Sequence, residues 1–279
     1  MRVHLCGVRG STPAPGADFL RYGGHTSCLA IAHDGHASPT LILDAGTGIR
    51  TLGELLGGNA FAGTILLTHL HWDHFQGLPF FSAGDLDETR ADLLLPEQED
   101  GSTAEAVLSR AMSPPHFPMR PKDMCGQWSF DSVPAGEFEA EGFAVLAVEV
   151  PHKGGRTFGY RISDGRSTLT YMPDHCPTAF GAGPDGCGEY HPAARQLVAG
   201  SDLLIHDAQL LPRELASEAR FGHASFEYPI GLARCCEVPE VVLFHHRPDR
   251  TDEALDGLSA GLPRDIAVEF AVQDSVLEL

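Results

Sequence analysis

The sequence is poor in positive charge, and this limits its partners. Its 279 residues include 19 basic residues against 38 acidic ones, which gives a formal net charge of −19, and only Lys122 and Lys153 are lysines. Proteins bind polyanions by neutralising phosphates with cationic side chains. The composition therefore argues against long RNA or DNA as a partner.

Cysteine pairs and long apolar runs are also missing. The seven cysteines are an odd number without a C-x-x-C pair, which argues against a disulfide framework and a cysteine-rich zinc finger. No apolar stretch approaches the roughly 20 residues of a membrane-spanning helix. The first residues, MRVHLCGVRGSTPAPG, carry charge and glycine where a signal peptide needs an apolar run. We therefore expect a cytoplasmic protein that does not enter a membrane.

What the sequence does contain is a series of short apolar segments that end in glycine, aspartate or histidine. Eight of them are rich in β-branched and other large apolar residues, which is typical of buried strands. They are CLAIAH (28–33), TLILDAG (40–46), GTILLTH (63–69), FAVLAVEVPH (143–152), FGYRIS (158–163), STLTYMPD (167–174), SDLLIHDA (201–208) and EVVLFHH (240–246). Helical patterns are fewer, at 48–56, 102–112, 192–199 and 225–235. This pattern predicts an α/β fold in which helices cover the sheets.

Residues 85–141 differ from the rest of the chain. They contain SPPHFPMRP, acidic runs and several glycines. Long connections inside a compact domain tend to be functional. We expect one domain over residues 1–279, in which the stretch 85–141 is a lid-like insertion over one end of the core.

Fifteen histidines are the compositional oddity, and the segment ILLTHLHWDHFQG (65–77) contains three of them. In an extended segment, side chains two residues apart point the same way, so His69 and His71 can bind one metal ion. After a turn, Asp73 and His74 can reach a second ion nearby. Imidazole and carboxylate groups are ligands that zinc prefers.

A metal cage needs ligands from other segments, and three predicted strands end in suitable residues. His152 follows AVEVP, Asp174 follows TLTYMP, and both His245 and His246 follow VVLF. Strands that end at the same edge of a sheet collect distant side chains into one site. The sequence therefore predicts a site for two metal ions.

These motifs resemble the metallo-β-lactamase superfamily, which carries H-x-H-x-D-H followed by a distant histidine, an aspartate and a last histidine. The resemblance covers nearly the whole chain and implies a four-layer αββα sandwich, in which helices flank two mixed β-sheets. The stretches GVRGSTPAPG, YGGHTSC, LLIHDA, GHAS and LFHHRPDRTD are most similar to the phosphodiesterase branch. That branch includes ribonuclease Z and cyclic-nucleotide phosphodiesterase-like hydrolases.

The resemblance also implies two bound divalent cations and the residues that hold them. Zinc is the first choice, and manganese and iron are the alternatives. One ion would be held by His69, His71 and His152, the other by Asp73, His74 and His245, and Asp174 would bridge both. His246 is the alternative to His245 as the last ligand. Asp44, which follows TLIL, corresponds to the family's early aspartate and would hydrogen-bond a ligand histidine without binding metal.

Further residues are assigned to catalysis and to substrate contacts. His223, in FGHAS, resembles the non-ligand histidine of the ribonuclease Z branch, and Asp207, in LLIHDA, resembles its acidic partner. We predict that His223 protonates the leaving oxygen while Asp207 fixes its tautomer. Asp73 is counted with the catalytic residues as well as with the ligands. Weaker candidates for substrate contacts are His116, Lys153 and Arg156.

The resemblance implies a phosphodiesterase that cleaves small phosphodiesters, such as cyclic nucleotides, through a hydroxide that bridges the two ions. An acyl-bond hydrolase, a lactonase or thioesterase, would use the same site and is the alternative, although the His223–Asp207 pair argues against it. The acidic charge disfavours a tRNA 3′-processing endonuclease. A non-catalytic metal-binding module fits a complete cage with a proton donor least well. Relatives are commonly dimers, so a homodimer is compatible with the resemblance.

Overall fold

Two β-sheets of seven strands each lie face to face in the computed structural model, which describes residues 1–279. The first sheet contains β1 (Arg2–Gly7), β2 (Cys28–Ala32), β3 (Leu41–Leu43), β4 (Ala62–Leu66), β5 (Arg90–Pro96), β6 (Gln127–Val133) and β14 (Val276–Glu278). The second sheet contains β7 (Gly136–Ala140), β8 (Phe143–Glu149), β9 (Phe158–Ser163), β10 (Thr168–Met172), β11 (Leu203–Asp207), β12 (Glu240–Phe244) and β13 (Ala267–Phe270). The strand orders are β14-β1-β2-β3-β4-β5-β6 and β13-β12-β11-β10-β9-β8-β7.

Both sheets are mixed. Strands β3 to β6 run parallel in the first sheet, and β10 to β13 run parallel in the second. The remaining neighbours in both sheets are antiparallel. Because parallel strands finish at the same edge, the residues that follow them meet there.

Burial explains why the central strands are apolar. All five residues of β2 and all five of β11 are buried, since both faces of each sheet are covered. The edge strand β7 instead alternates, and Glu137 and Glu139 point to solvent.

Seven helices surround the sheets: α1 (Leu52–Leu55), α2 (Trp72–Phe75), α3 (Ala104–Ser109), α4 (Pro192–Val198), α5 (Pro212–Glu218), α6 (Glu227–Cys236) and α7 (Asp252–Ser259). One apolar core lies between the two sheets. A second packs α1 and α3 against the first sheet, and a third packs α4, α6 and α7 against the second. Four layers separated by three cores form an αββα sandwich, which confirms the predicted fold. None of the helices is both long and apolar enough to span a membrane.

The eight predicted strands correspond to β2, β3, β4 and the run from β8 to β12. The four predicted helices correspond to α1 with the 3-10 turn that precedes it, α3, α4 and α6. The stretch 85–141, which the sequence suggested to be an insertion, contributes the three strands β5, β6 and β7 to the sandwich. The longest part of this stretch outside the sheets is 97–126, which includes α3.

Candidate metal centre

The segment after β4 brings four predicted ligands to one edge of the sandwich. The backbone is extended at His71, with φ −71° and ψ 147°, and α2 begins at the next residue. His69 lies before this change of direction, and Asp73 and His74 lie after it; all three side chains are buried. The pair His69 and His71 therefore reaches the centre from the extended segment, and the pair Asp73 and His74 reaches it from α2.

Three more side chains reach the same place from the second sheet. His152 lies shortly after β8, Asp174 shortly after β10, and His245 directly after β12. The ligand atoms of one group all lie within 4.8 Å of one another, and this group comprises His69, His71, His152 and Asp174. The same holds for a second group of Asp73, His74 and His245. The structure thus brings together all seven residues that were predicted as ligands.

The carboxylate of Asp174 lies between the two groups. Its Oδ1 lies 3.4 Å from His152 Nε2. Its Oδ2 lies 2.8 Å from His74 Nε2 and 3.3 Å from His245 Nε2. Because each oxygen faces a different group, this carboxylate is placed to bridge two cations.

Two adjacent histidines follow β12, and they point in different directions. His245 Nε2 lies 3.1 Å from Asp73 Oδ2, whereas His246 Nε2 donates a hydrogen bond to the carbonyl of Ala271 at 2.7 Å. The backbone of His245 has φ +61°, a left-handed conformation that is strained for a residue with a side chain. This placement favours His245 over His246 as the last ligand.

Asp44, directly after β3, orients one ligand histidine. Its carboxylate accepts hydrogen bonds from His74 Nδ1 at 2.8 Å and from the Tyr171 hydroxyl at 3.0 Å. It also accepts from the Thr68 backbone N–H at 2.8 Å and the Thr68 hydroxyl at 3.0 Å. Because Nδ1 of His74 donates to Asp44, Nε2 is the nitrogen left for a cation. Neither Thr68 nor Tyr171 is predictable from the sequence as a partner of Asp44, since neither is near Asp44 in the chain.

Two other histidines are oriented by nearby oxygen atoms. His152 Nδ1 donates to the carbonyl of Gly222 at 2.7 Å, and His69 Nδ1 lies 3.1 Å from the Thr68 hydroxyl. A Cβ on Gly222 would lie 2.9 Å from His152 Nδ1, and its φ is +95°, so this close approach requires glycine. His69 Nε2 has no hydrogen-bond partner, and His152 Nε2 lies 3.1 Å from His71 Nδ1, a neighbour with which it would share a cation.

Three buried polar atoms at the centre make no hydrogen bond of normal geometry: His69 Nε2, His74 Nε2 and Asp174 Oδ2, although the last two lie 2.8 Å apart. Buried polar atoms are nearly always satisfied, and two cations, one at each group, would satisfy all three. Five imidazoles and two carboxylates form a donor set that fits divalent cations such as zinc.

The electrostatics of the centre agree with this fit. Burial holds the pKa of His69 well below its ordinary value and lowers that of His152 to about 4, so both rings are neutral, as ligation requires. Burial lowers the pKa of His74, but the carboxylates of Asp174, Asp73 and Asp44 outweigh it and raise that pKa well above the ordinary value. The negative charge that raises this pKa is the charge that divalent cations would neutralise.

The loop after β1 closes one side of the centre. The backbone N–H of Ser11 donates to Asp73 Oδ2 at 2.7 Å. Gly10 packs against His245, since a Cβ there would lie 2.4 Å from His245 Nδ1. Arg9 is fully buried and donates only to backbone carbonyl oxygens, which fixes the loop. This stretch is part of the resemblance, but its position at the site does not follow from the sequence.

His223 lies at the open side of the centre, with Asp207 behind it at the end of β11. His223 Nδ1 donates to Asp207 Oδ2 at 3.1 Å and lies 3.5 Å from Asp174 Oδ1. Burial opposes the charged ring, but the Asp207 carboxylate prevails and raises the pKa of His223 to about 9. His223 also lines a cavity of about 360 Å³ that opens onto Asp73 and Asp174.

A chain of three buried histidines lies behind Asp207. His206 Nδ1 donates to the carbonyl of Asp207 at 2.7 Å, and His206 Nε2 lies 3.0 Å from His175 Nδ1. His175 Nε2 lies 2.7 Å from His191 Nε2, and the His175 backbone N–H donates to Asp207 Oδ2 at 3.1 Å. No spacing in the sequence indicates this chain, because its members come from three separate segments.

The three weaker candidates for substrate contacts lie in different places. Arg156 lines a cavity of about 260 Å³ next to His69, and its Nε donates to Glu149 at 2.9 Å. His116 lines a neighbouring cavity that is mainly apolar. Lys153 Nζ donates to the carbonyl of Arg220 at 2.9 Å and lines none of the cavities next to the centre.

Solved structures share this architecture. A protein described as a new diphosphatase from the PhnP family is 17% identical, with a TM-score of 0.67 over 100% of this chain and 97% of that chain. The short form of human tRNase Z is 18% identical, with a TM-score of 0.66 over 100% of this chain and 99% of that chain. Zn²⁺-bound PqqB from Methylobacterium extorquens is 18% identical, with a TM-score of 0.69 over 100% of both chains. No curated protein sequence matches the chain.

Two mixed sheets packed face to face, with histidines and aspartates gathered at one edge, define the class of metal-dependent hydrolases of the metallo-β-lactamase fold. The family model described as the beta-lactamase superfamily domain matches residues 40–246, which is more than half of the chain and includes every predicted ligand. The chain therefore belongs to the beta-lactamase superfamily.

Proposed function

We propose that the chain is a metal-dependent phosphodiesterase that cleaves small phosphodiesters such as cyclic nucleotides. The observation that carries the proposal is the His223–Asp207 pair at the open side of the metal centre. A phosphodiester with an alkoxide leaving group needs such a proton donor, because the oxygen must be protonated as it departs. Two fold relatives are described as a diphosphatase and a tRNase, which supports phosphate-ester chemistry over acyl chemistry.

The residues that would hold two divalent cations are those of the two groups described above. His69, His71 and His152 would hold one cation, Asp73, His74 and His245 the other, and Asp174 would bridge them. Zinc is our first choice because the ligands are imidazole and carboxylate and because one fold relative is Zn²⁺-bound. When bound, the two cations supply an activated water and neutralise charge that develops on the phosphoryl oxygens.

The chain's own residues would position the substrate and move the proton. Asp207 accepts a hydrogen bond from His223 Nδ1, which fixes the ring and leaves Nε2 to donate a proton to the leaving oxygen. The Ser11 backbone N–H holds the Asp73 carboxylate in place. Arg156, which lines the cavity next to His69, is a candidate contact for the phosphate.

A small substrate is favoured over tRNA. The formal net charge of −19 opposes the approach of a long polyanion, since binding one requires many cationic contacts. A cyclic nucleotide carries a single negative charge, which the two cations can neutralise without a basic surface.

The test is a substrate panel on protein purified without chelator and assayed with added Zn²⁺ or Mn²⁺. The panel contains adenosine 3′,5′-cyclic phosphate, adenosine 2′,3′-cyclic phosphate, bis(4-nitrophenyl) phosphate, a lactone and a thioester. We expect turnover of the phosphodiesters. Turnover of only the lactone or the thioester would replace the proposal with an acyl hydrolase.

A matched pair of variants guards this assay against contaminating enzymes. Asp174→Asn removes the carboxylate placed between the two groups and should abolish turnover. Phe180→Ala removes an exposed aromatic ring that packs against His191 and should leave turnover unchanged. Equal activity in the two variants would assign the turnover to a contaminant.

A further inference from the structure

An apolar cavity of about 650 Å³ lies beside the metal centre. Its walls include Trp72 and Phe80 from one side and Met112 and Phe117 from the segment that follows α3. The rings of Phe80 and Phe117 meet edge to face with centroids 5.8 Å apart. The cavity therefore lies between the motif that carries the predicted ligands and residues 97–126, the connection between β5 and β6.

Trp72 connects this cavity to the metal centre. It lines the apolar cavity, and it also lines the opening that contains Asp73, Asp174 and His223. Trp72 lies between two predicted ligands in the chain, yet its side chain is 73% exposed. A group attached to a phosphate at the metal centre can therefore extend along Trp72 into the cavity.

The charge around the cavity is unlike the charge of the chain. The formal net charge is −19, yet no aspartate or glutamate lines the apolar cavity or the smaller cavity next to His69. Arg110 lines both cavities, and His116 and Arg156 each line one. Arg110 is held in place by Asp100 at 3.3 Å and Ser102 Oγ at 3.0 Å. Such walls suit a molecule that joins an apolar ring to an anionic group.

We propose that this cavity binds a planar ring carried by the phosphodiester substrate and that the ring stacks on Trp72. The ring is a nucleobase or another aromatic group, since both offer the flat apolar face that an indole recognises. The inference rests on the proposed function, because it identifies the part of the substrate that lies next to the scissile phosphate. Residues 97–126 then act as a lid that contributes Met112 and Phe117 to the ring site.

The kinetic test compares substrates that differ only in the ring. Adenosine 2′,3′-cyclic phosphate and the base-free ribose 2′,3′-cyclic phosphate carry the same phosphodiester. We expect Trp72→Ala to lower kcat/KM roughly tenfold or more for the adenosine compound, by the loss of one stacked base, and to leave the base-free compound unchanged within about twofold. Bis(4-nitrophenyl) phosphate separates the two sources of the ring: a loss with this compound as well indicates a general aromatic site.

Trp72 lies between two predicted ligands, so its replacement could also disturb metal binding. A second variant outside this segment and a control variant exclude that explanation. Phe117→Ala lies outside that motif and should give the same selective loss. Phe180→Ala removes an aromatic ring that is 61% exposed and does not line the cavity, so it should behave as the unmodified protein. Metal content must be equal in all variants. Equal losses on both cyclic phosphates in Trp72→Ala, or none on either, would overturn the ring site.

A binding measurement separates this inference from the proposed function. The chain has two tryptophans, so a Trp128→Phe variant reports only Trp72 fluorescence. We expect adenosine 5′-monophosphate to quench this fluorescence and ribose 5-phosphate to leave it unchanged. Quenching without turnover of any phosphodiester would leave the ring site standing while the proposed function fails. Turnover without quenching would support the proposed function and reject the ring site. If Trp72→Ala altered the oligomeric state, the cavity would instead be assigned to contact with a second copy of the chain.

Discussion

Asp44 shows how much of the metal centre depends on a residue that is not itself a predicted ligand. Its carboxylate is fully buried and accepts hydrogen bonds from Thr68, His74 and Tyr171. Like His245, it has a left-handed backbone, with φ +60°. Asp44 and His245 directly follow β3 and β12, and the strained backbone at each lowers local stability. In return, this backbone conformation points both side chains at the metal centre.

Asp44→Asn should weaken metal binding while leaving every predicted ligand in place. The amide replaces an acceptor by a donor next to His74 Nδ1, so the ring loses the partner that fixes its tautomer. We expect metal affinity to fall about 10- to 100-fold, measured by competition with a chelator of known affinity. Tyr171→Phe is the matched control, since it removes a different hydrogen bond to the same carboxylate and should cost only about 1 kcal/mol of stability. Equal metal affinity in Asp44→Asn and the unmodified protein would contradict the orienting role.

His223→Ala should separate proton donation from metal binding. The ring is not one of the seven predicted ligands, and its Nδ1 is hydrogen-bonded to Asp207. We therefore expect metal content to stay unchanged, although His223 also has a ligand atom within 4.8 Å of ligand atoms of Asp174 and His245. We expect kcat on a diester with an alkoxide leaving group to fall about 100- to 10,000-fold. A 4-nitrophenolate leaving group needs little help from an acid, so turnover of that diester should fall much less. Full metal content with equal turnover on both diesters would reject His223 as the proton donor.

The parallel strands explain which parts of the site the sequence could predict. Asp44, Asp174 and His245 each follow a buried strand that is recognisable as an apolar run, and parallel strands finish at one edge. The partners that hold these residues were not predictable, because Tyr171 meets Asp44 across 127 positions of the chain. Such contacts arise from the packing of one sheet on the other, which no local pattern records.

The strands that the sequence analysis missed are near the edges of the sheets. β5 has the pattern RADLLLP, in which Arg90 and Asp92 are exposed, and β7 is the alternating GEFEA. Strands at or next to the edge of a sheet, such as β7 and β5, are covered on fewer sides, so polar residues interrupt the apolar run that marks a central strand. The interrupted pattern therefore predicts an insertion at 85–141, and this prediction is wrong for the three strands that the stretch contributes to the sandwich.

Gly222 connects the loop before α6 to the metal centre. A comparison with Gly186, another glycine at positive φ, tests whether this contact matters for metal binding. Gly222→Ala and Gly186→Ala both place a side chain at positive φ, which costs roughly 1–2 kcal/mol in each case. Only at Gly222 would the new Cβ meet His152, since nothing lies within 4 Å of the Cβ position at Gly186. We expect both variants to be destabilised in urea denaturation and only Gly222→Ala to lose metal affinity. Equal metal affinity in the two variants would show that the loop does not position His152.

For the molecule as a whole, the αββα order of layers was predictable from two sources. The apolar runs indicated the central strands, and the family resemblance implied how the layers are arranged. The positions 69 to 245 that supply the predicted ligands span both sheets, so the centre forms only when the sandwich is complete. Folding and metal binding are then coupled: cations that bind the folded chain and not the unfolded one stabilise it by about 4 kcal/mol at a thousandfold excess over Kd. The apolar cavity next to the centre was not predictable, because its walls come from α2 and from residues outside the sheets.

Everything proposed for this site requires that seven side chains from the two sheets hold a pair of metal ions. The transition-metal content of protein purified without exposure to chelator, measured by plasma mass spectrometry, tests this requirement. We expect close to two ions per chain in the unmodified protein and a clear loss in Asp174→Asn, with the fold retained in circular dichroism. A folded chain that is free of transition metals, and that takes up none from added Zn²⁺, Mn²⁺ or Fe²⁺, would contradict it.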